Sequence, residues 1–367
     1  AVFFFFLSYH YMEGKNLSFT SQKTPEQHMK PPLLLHYYIT LRCNCSCRFC
    51  NIQAPIDAEY EQVVENLKNA RKMRIPFVDF TGGEPLLHVK LPDMLKQAKK
   101  LGYRTSVTTN ALLYPIRARE LRGLVDYFHI SLDSLDPEQH NSIRGCPIYE
   151  QVMQSIDIAR SLDEHPDILY TVTPQNIDQL QKLARFARKL GLVLIVNPVF
   201  SEQKSLKLSP AHLDQIEQYA ADPFVYINKA FHRLRRNGGN HIRAPRCRVM
   251  DAVIVISPDN HLVLPCFHYA QIKLQITDGL KELLHQPFWH YYHKKQGRLS
   301  VCQGCDLNCY FDPSFHYSLD AFFRESITAK IRYTWYKLKQ QIQSFETIPA
   351  EQIAHEIRKK SLTFNHT

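Results

Sequence analysis

No apolar run among the 367 residues approaches the roughly 18 to 20 needed to span a bilayer. The nearest, VFFFFL at 2–7, has no basic stretch before it and no small-residue cleavage site after it, which argues against a secretory leader. The cytoplasm is therefore the expected location, where thiols stay reduced. Met29 opens MKPPLLLHYYITLRC, so residues 1–30 are read as an N-terminal extension that includes upstream translated sequence. Marks of disorder or of a fibrous chain are also missing, since 44% of residues are hydrophobic and 22% charged. The length suffices for one large α/β domain and a smaller appendage, so the ten cysteines are not needed to staple a small core.

Acid is absent from one stretch. Between Lys229 and Arg248 lie Lys229, Arg233, Arg235, Arg236, Arg243, Arg246 and Arg248 with no Asp or Glu, in a chain whose net charge is +10. A second basic stretch spans 324–339. Such patches can steer an anionic partner such as phosphate, nucleic acid or a lipid surface, although a solvated basic face is the commoner use.

What is present from residue 33 onward is alternation. Strand-like runs at 33–40, 77–81, 104–109, 127–132, 167–172 and 192–197 are separated by amphipathic stretches at 61–73, 91–102, 116–124, 149–162 and 176–191. This spacing predicts parallel βα units with right-handed crossovers. Eight units would close a barrel and six are visible, so the predicted fold is α/β, a partial (β/α)6 TIM-like barrel. A polar signature follows every strand: the cysteine loop, GGEP, TTN, SLDS, TVTPQN and NP. Strand C-termini share one face in such a sheet, so all six signatures line one mouth, where ligands bind.

The cysteine loop, TLRCNCSCRFC, contains Cys43, Cys47 and Cys50 as CxxxCxxC, with Cys45 left over. Three thiolates can hold three irons of a [4Fe-4S] cluster and leave the fourth open. A zinc knuckle wants two CxxC pairs, and the loop offers no clean second pair. One βα unit later, Gly82 and Gly83 let backbone approach a ligand, Glu84 brings a carboxylate and Pro85 fixes the turn.

These two motifs, so spaced, resemble those of radical S-adenosylmethionine (radical SAM) enzymes, and the resemblance covers residues 33 to about 200. It implies that Cys43, Cys47 and Cys50 bind a site-differentiated [4Fe-4S] cluster whose open iron chelates S-adenosylmethionine. Phe49 would then pack near the adenine, and the Gly82–Gly83–Glu84 edge would hold the methionine ammonium. Asn110, Ser131 and Asp133 occupy places where relatives bring polar groups to the ribose and methionine. Arg144 resembles an arginine that meets the methionine carboxylate, and a surface arginine paired with nearby acids is the plainer reading. Asn197 shares the rim. The implied chemistry is one-electron cleavage of the sulfonium to a 5′-deoxyadenosyl radical that abstracts hydrogen from a substrate, fed by a reducing partner such as flavodoxin or ferredoxin.

Five cysteines follow the barrel. VIVISPDNHLVLPC reads as a β-hairpin between Cys247 and Cys266, and CQGCDLNC contributes Cys302, Cys305 and Cys309. Order and hairpin resemble the cysteine-rich β-hairpin/α extension of this superfamily called SPASM or, in its one-cluster form, twitch. The resemblance implies a second, auxiliary [4Fe-4S] cluster on Cys247, Cys266, Cys302 and Cys305, with Cys309 able to replace one of them. A structural zinc site on the same residues is the alternative. Cys45 and Cys146 match no pattern and are expected to be unligated.

The expected organisation is thus an extension (1–30), the barrel (31–200), a helical basic linker (201–245), the auxiliary region (246–312) and a basic amphipathic helical segment (313–367). In that last segment Phe322, Phe323, Ile327, Ile331, Trp335 and Leu338 recur at helical spacing. The stripe could touch a membrane surface, but docking on the protein itself is the usual role. Function is expected to be hydrogen abstraction from a peptide, protein or small metabolite, and the charge argument allows an anionic one. The alternatives are nucleotide cyclisation of the molybdenum-cofactor type, whose paired-glycine C-terminus is not found in TFNHT, and a non-catalytic zinc or nucleic-acid module.

Overall fold

A computed structural model describes residues 32–346 apart from 201–202 and 278; the expected extension at 1–30 lies outside them. The expected strands form as β1 (Leu34–Thr40), β2 (Phe77–Gly82), β3 (Arg104–Thr109), β4 (Tyr127–Ser131), β5 (Asp167–Val172) and β6 (Leu194–Pro198). All pair in parallel with their sequence neighbours. Every residue of β1 is buried, as befits a parallel strand covered on both faces.

The intervening helices are α1 (Tyr60–Lys72), α2 (Leu91–Lys100), α3 (Tyr114–Leu121), α4 (Pro137–Arg144), α5 (Tyr149–Ser161) and α6 (Leu180–Leu190). Helix α1 shows why they form: Val63, Leu67 and Ala70 recur on one buried face against the sheet. Helix α4, unread in the sequence, starts where Asp136 accepts the Gln139 N–H and Pro137 pre-sets the first turn. It ends at Gly145 in the left-handed region, which leaves Arg144 in its last turn.

The sheet does not stop at six strands. After α7 (Pro210–Glu217) comes β7 (Val225–Tyr226), parallel to β6, and after α8 (Lys229–Arg236) and α9 (Val249–Ala252) comes β8 (Val253–Ile256), parallel to β1. Strand β8 turns through the expected hairpin into β9 (His261–Leu264), and β10 (Ile272–Gln275) completes the order β10-β9-β8-β1-β2-β3-β4-β5-β6-β7. The auxiliary hairpin therefore extends the barrel sheet. Helices α10 (Leu280–Leu284), α11 (Pro287–Lys295), α12 (Asn308–Ser314) and α13 (Ala321–Glu346) follow.

Helix α13 docks with its polar face. Ser326, Lys330, Tyr333 and Tyr336 are buried, whereas Ile331, Trp335 and Leu338 are about half exposed. Tyr333 donates to Asp167, and Lys337 reaches the other Asp167 oxygen at 3.1 Å. Asp167 also faces His129 at 3.5 Å, and burial pushes that imidazole down to about 4 and keeps it neutral. Of the expected stripe, Phe322 is buried against Phe315, so the apolar residues divide between two faces. Among the described residues no helix is long and apolar enough to cross a membrane.

The arginine-rich segment is not a bare patch. Acids from outside the segment meet it: Lys229 and Arg236 pair with Glu217, Arg233 with Glu325, Arg235 with Asp306, Arg246 with Asp320 and Arg248 with Asp251. This pairing offsets most of the charge that the segment carries.

Candidate active site

The loop after β1 carries Cys43, Cys47 and Cys50 as free thiols with some exposure, Cys50 being the most open. Burial pushes the Cys43 thiol up to about 11, although it accepts a backbone N–H from Cys45; Cys47 is raised too, against the pull of Arg144. Two glycines let β2 meet this loop. A Cβ on Gly82, at φ +145°, would lie 1.7 Å from Thr40 O, and one on Gly83 2.2 Å from Arg42 O. The Gly83 and Glu84 amides instead donate to those two carbonyls at 2.9 and 2.8 Å.

Glu84 points inward. Its carboxylate, 2% exposed as a residue, accepts from Leu86 N–H (3.0 Å), Thr109 Oγ1 (2.7 Å) and Asn110 N–H (2.7 Å). It ties the GGEP turn to the end of β3. Asn110 is likewise engaged, donating to Asn44 Oδ1 and accepting from Leu112 N–H. Ser131 is buried at the end of β4, and Asp133 accepts from Thr171 N–H at 2.9 Å.

Arg144 is no surface arginine. It is 6% exposed, pairs with Asp133 at 2.8 Å, stands 3.9 Å from Cys47 Sγ and lies over the Phe49 ring at 5.7 Å. Its Nε has no hydrogen-bond partner. An open guanidinium donor beside a thiol suits a carboxylate-bearing ligand.

Cys45 and Cys146 correct the sequence reading. They form a disulfide across 101 residues, with Cα atoms 5.4 Å apart. The loops that carry them are laced together, Ser46 N–H to Arg144 O and Arg48 N–H to Ile143 O, at 3.1 and 3.2 Å. A short-range pattern has no means of signalling a partner so far along the chain.

A cleft of about 440 Å³ opens beside Cys50. Phe49 lines it from the cysteine loop, Phe200 from the segment after β6, and Phe267, His268 and Tyr269 from the segment after Cys266. Phe267 stacks on Tyr38 with ring centroids 3.7 Å apart.

Cys247, Cys266, Cys302 and Cys305 line a second, smaller cavity together with Val249, Leu307, Tyr310 and Phe311. Burial pushes Cys266 and Cys305 up to about 12 and raises Cys247 well above its ordinary value, while backbone N–H groups of Val249, Tyr269 and Leu307 reach the sulfurs of Cys247, Cys266 and Cys305. Sulfurs gathered in an apolar shell and met by amide donors are the donor set an iron-sulfur cluster uses. Among the described residues, no three Cys, His, Asp or Glu groups yet stand at metal-ligating geometry at either site.

Asn240 was missed in the sequence. Its amide donates to Gly297 O and Cys302 O, and its Oδ1 accepts from Arg246 and Cys247 N–H, which stitches three segments around the cavity. Placed among basic residues it carries no pattern of its own. Cys309 does not line this cavity and faces the barrel lumen.

The fold is a partial barrel that carries two cysteine groups, and comparison with known proteins gives its class. Residues 37–187 match the model of the radical SAM superfamily. A probable GTP 3′,8-cyclase of Methanosarcina mazei is 33% identical over 248 residues, 57% of this chain and 74% of that protein. One of Pyrococcus abyssi is 29% identical over 172 residues, 45% of this chain and 56% of its own length. The chain thus spans little more than half of the latter relative. Streptococcus suis SuiB, solved bound to precursor peptide SuiA, superposes with a TM-score of 0.59 at 18% identity, covering 79% of this chain and 75% of that one. Native anSMEcpe with bound AdoMet gives 0.56 at 16%, covering 86% and 100%. The chain belongs to the radical SAM superfamily.

Proposed function

We propose that this enzyme cleaves S-adenosylmethionine reductively at a [4Fe-4S] cluster on Cys43, Cys47 and Cys50 and uses the resulting radical to abstract hydrogen from a peptide or small metabolite. The observation that carries this reading is the close approach of the Gly82–Gly83 backbone to the cysteine loop, beside the unpartnered Nε of Arg144. The cluster and S-adenosylmethionine together supply the electron and the carbon-centred radical. The protein holds, orients and shields them.

Arg144 would meet the methionine carboxylate, kept aligned by Asp133. Glu84 has its carboxylate committed to Leu86, Thr109 and Asn110, so the ammonium contact at this edge falls to backbone carbonyls. Asn110, Ser131 and Asp133 would shape the rim, and Phe49 would pack against the adenine. Cys247, Cys266, Cys302 and Cys305 would hold a twitch-like auxiliary cluster with no open iron, suited to carrying an electron or bracing the fold. A flavodoxin- or ferredoxin-type donor goes with this chemistry.

GTP cyclisation is a second reading, supported by the names of the curated relatives. Against it, among the described residues, the lumen is lined by no Lys or Arg, and its two acids already have partners, Asp79 beside His36 at 3.1 Å and Asp312 paired with Lys330 at 3.0 Å, so the lining offers no lysine or arginine to a triphosphate.

The test is anaerobic reconstitution with iron and sulfide, reduction, and assay for 5′-deoxyadenosine from S-adenosylmethionine. About eight irons per chain and product formation are expected. No product from a preparation with that iron content, or undiminished product after Cys43, Cys47 and Cys50 are each changed to Ala, sinks the proposal. Acceleration by added GTP would select the second reading.

A further inference from the structure

The first cysteine loop holds one thiol too many for a cluster that leaves an iron open. Cys43, Cys47 and Cys50 account for three irons, and Cys45 stands two residues from each of Cys43 and Cys47. A [4Fe-4S] cluster ordinarily takes four cysteines. Residues 41–50 contain no helix or strand, so no regular backbone structure keeps a fourth thiolate from the last iron.

The fold commits this thiol elsewhere. Cys45 is 3% exposed and is bonded to Cys146, two residues past the end of α4. The approach is shaped from both sides. Gly145, at φ +66°, lies so near the loop that a Cβ there would stand 2.3 Å from Ser46 O, so a residue without a side chain is what lets Cys146 come close. From the other side, Gln53 donates to Cys45 O at 2.5 Å, and Asn110 Nδ2 meets Cys45 Sγ at 3.4 Å. The two loops are already fastened by the Ser46 and Arg48 amides, and a brace could be anchored at any loop position. What the S–S bond alone achieves, at a position between two ligands, is to remove Cys45 from the set of thiolates.

We propose that the Cys45–Cys146 disulfide sequesters the surplus thiol of the cluster loop and so keeps the fourth iron open for S-adenosylmethionine. The inference rests on the cluster reading above and gives Cys45 and Cys146 a positioning role. Closing the bridge turns two thiols into one S–S bond, and two electrons and two protons pass to a disulfide oxidant of the glutathione class, which leaves as two thiols. Cys146 is the half-buried partner and the sulfur a dithiol reductant reaches first. Once reopened, the loop regains its fourth thiolate, and the site passes from one that binds S-adenosylmethionine to a closed four-cysteine cluster.

The experiment uses the full chain, loaded with iron and sulfide and not reduced further. Alkylation under denaturing conditions followed by peptide mass spectrometry should recover Cys45 and Cys146 as one linked pair; recovery as two alkylated peptides overturns the proposal. Cys146→Ser, which frees Cys45, should keep about eight irons per chain but bind labelled S-adenosylmethionine at least about tenfold more weakly, with its unique iron taking on the Mössbauer parameters of the other three. Removing the surplus thiol as well, in Cys45→Ser/Cys146→Ser, should restore the affinity to within about twofold of the wild type, and Cys45→Ser alone should match it. A brace predicts the opposite, a double variant that binds as poorly as Cys146→Ser or loses its iron. Either result overturns the proposal, as does unimpaired binding in Cys146→Ser. If the wild type, with its pair linked and about eight irons, does not bind S-adenosylmethionine, the parent reading falls instead.

Discussion

The two cysteine groups differ in number and in surroundings. Cys43, Cys47 and Cys50 lie on a partly exposed loop at the mouth of the barrel, with a guanidinium beside them and an aromatic cleft of about 440 Å³ in front. Cys247, Cys266, Cys302 and Cys305 surround a closed cavity with apolar walls, drawn from three segments that Asn240 binds together. Three ligands and an open front suit chemistry at the metal, and four ligands behind a wall suit storage of charge or of structure. On the function proposed above, the same residue type would take opposite tasks from what stands around it.

Changing Cys43, Cys47 or Cys50 to Ala should make the largest difference, lowering 5′-deoxyadenosine formation at least about a thousandfold while the auxiliary iron stays. Cys266→Ala or Cys305→Ala should halve the iron to about four per chain and lower the unfolding temperature in calorimetry, yet leave cleavage of S-adenosylmethionine measurable. Loss of cleavage in those variants as well would erase the division of labour. Arg144→Met should raise the KM for S-adenosylmethionine by about 10- to 100-fold, with partial rescue by Arg144→Lys; an unchanged KM would remove the guanidinium from the mouth site. Gly83→Ala forces a methyl group against Arg42 O and should lower iron retention at the first loop alone, which Mössbauer spectra can apportion.

The smallest effect concerns acid. The hydrogen bond from His232, helped by Arg236, holds the Glu217 carboxyl down at about 2, below its ordinary 4.5. A depressed acid contributes stability above its unfolded value, and that stability is lost as pH falls from about 4.5 toward about 2. Because α8 leads into Cys247, acid should loosen the closed site first. Glu217→Gln should flatten that limb of the stability profile in metal-free protein.

Much of the barrel was legible because its strands are uniformly apolar and its helices amphipathic, two periods that a sequence displays directly. Strand β7, two residues long, and β10, with alternating exposed Lys273 and Gln275, were too short or too polar to read. The three thiols of the first loop stood out by spacing. The Cys45–Cys146 pair, the inward turn of Glu84 and the burial of Arg144 did not, because each depends on a loop joined only by the fold. The lumen position of Cys309 was illegible for a related reason: on α12, a single residue's phase decides which of two cavities it meets. The stripe on α13 misled because buried Lys330 and Tyr333 find acids waiting in the barrel, so polar residues docked there as readily as apolar ones.

Strand β8 lies beside β1 in parallel register, Leu34 opposite Val253 and Tyr37 opposite Ile256. One strand launches the first cysteine loop and its neighbour launches the hairpin that ends in Cys266. The spacing of the two cysteine groups is consequently set by a pair of hydrogen-bonded strands and not by the 50 or so residues that run between barrel and hairpin. On the function proposed above, insertions in that linker could accumulate over evolution without changing the distance an electron would cross between two clusters, whereas a slip of one residue between β1 and β8 would change it at once.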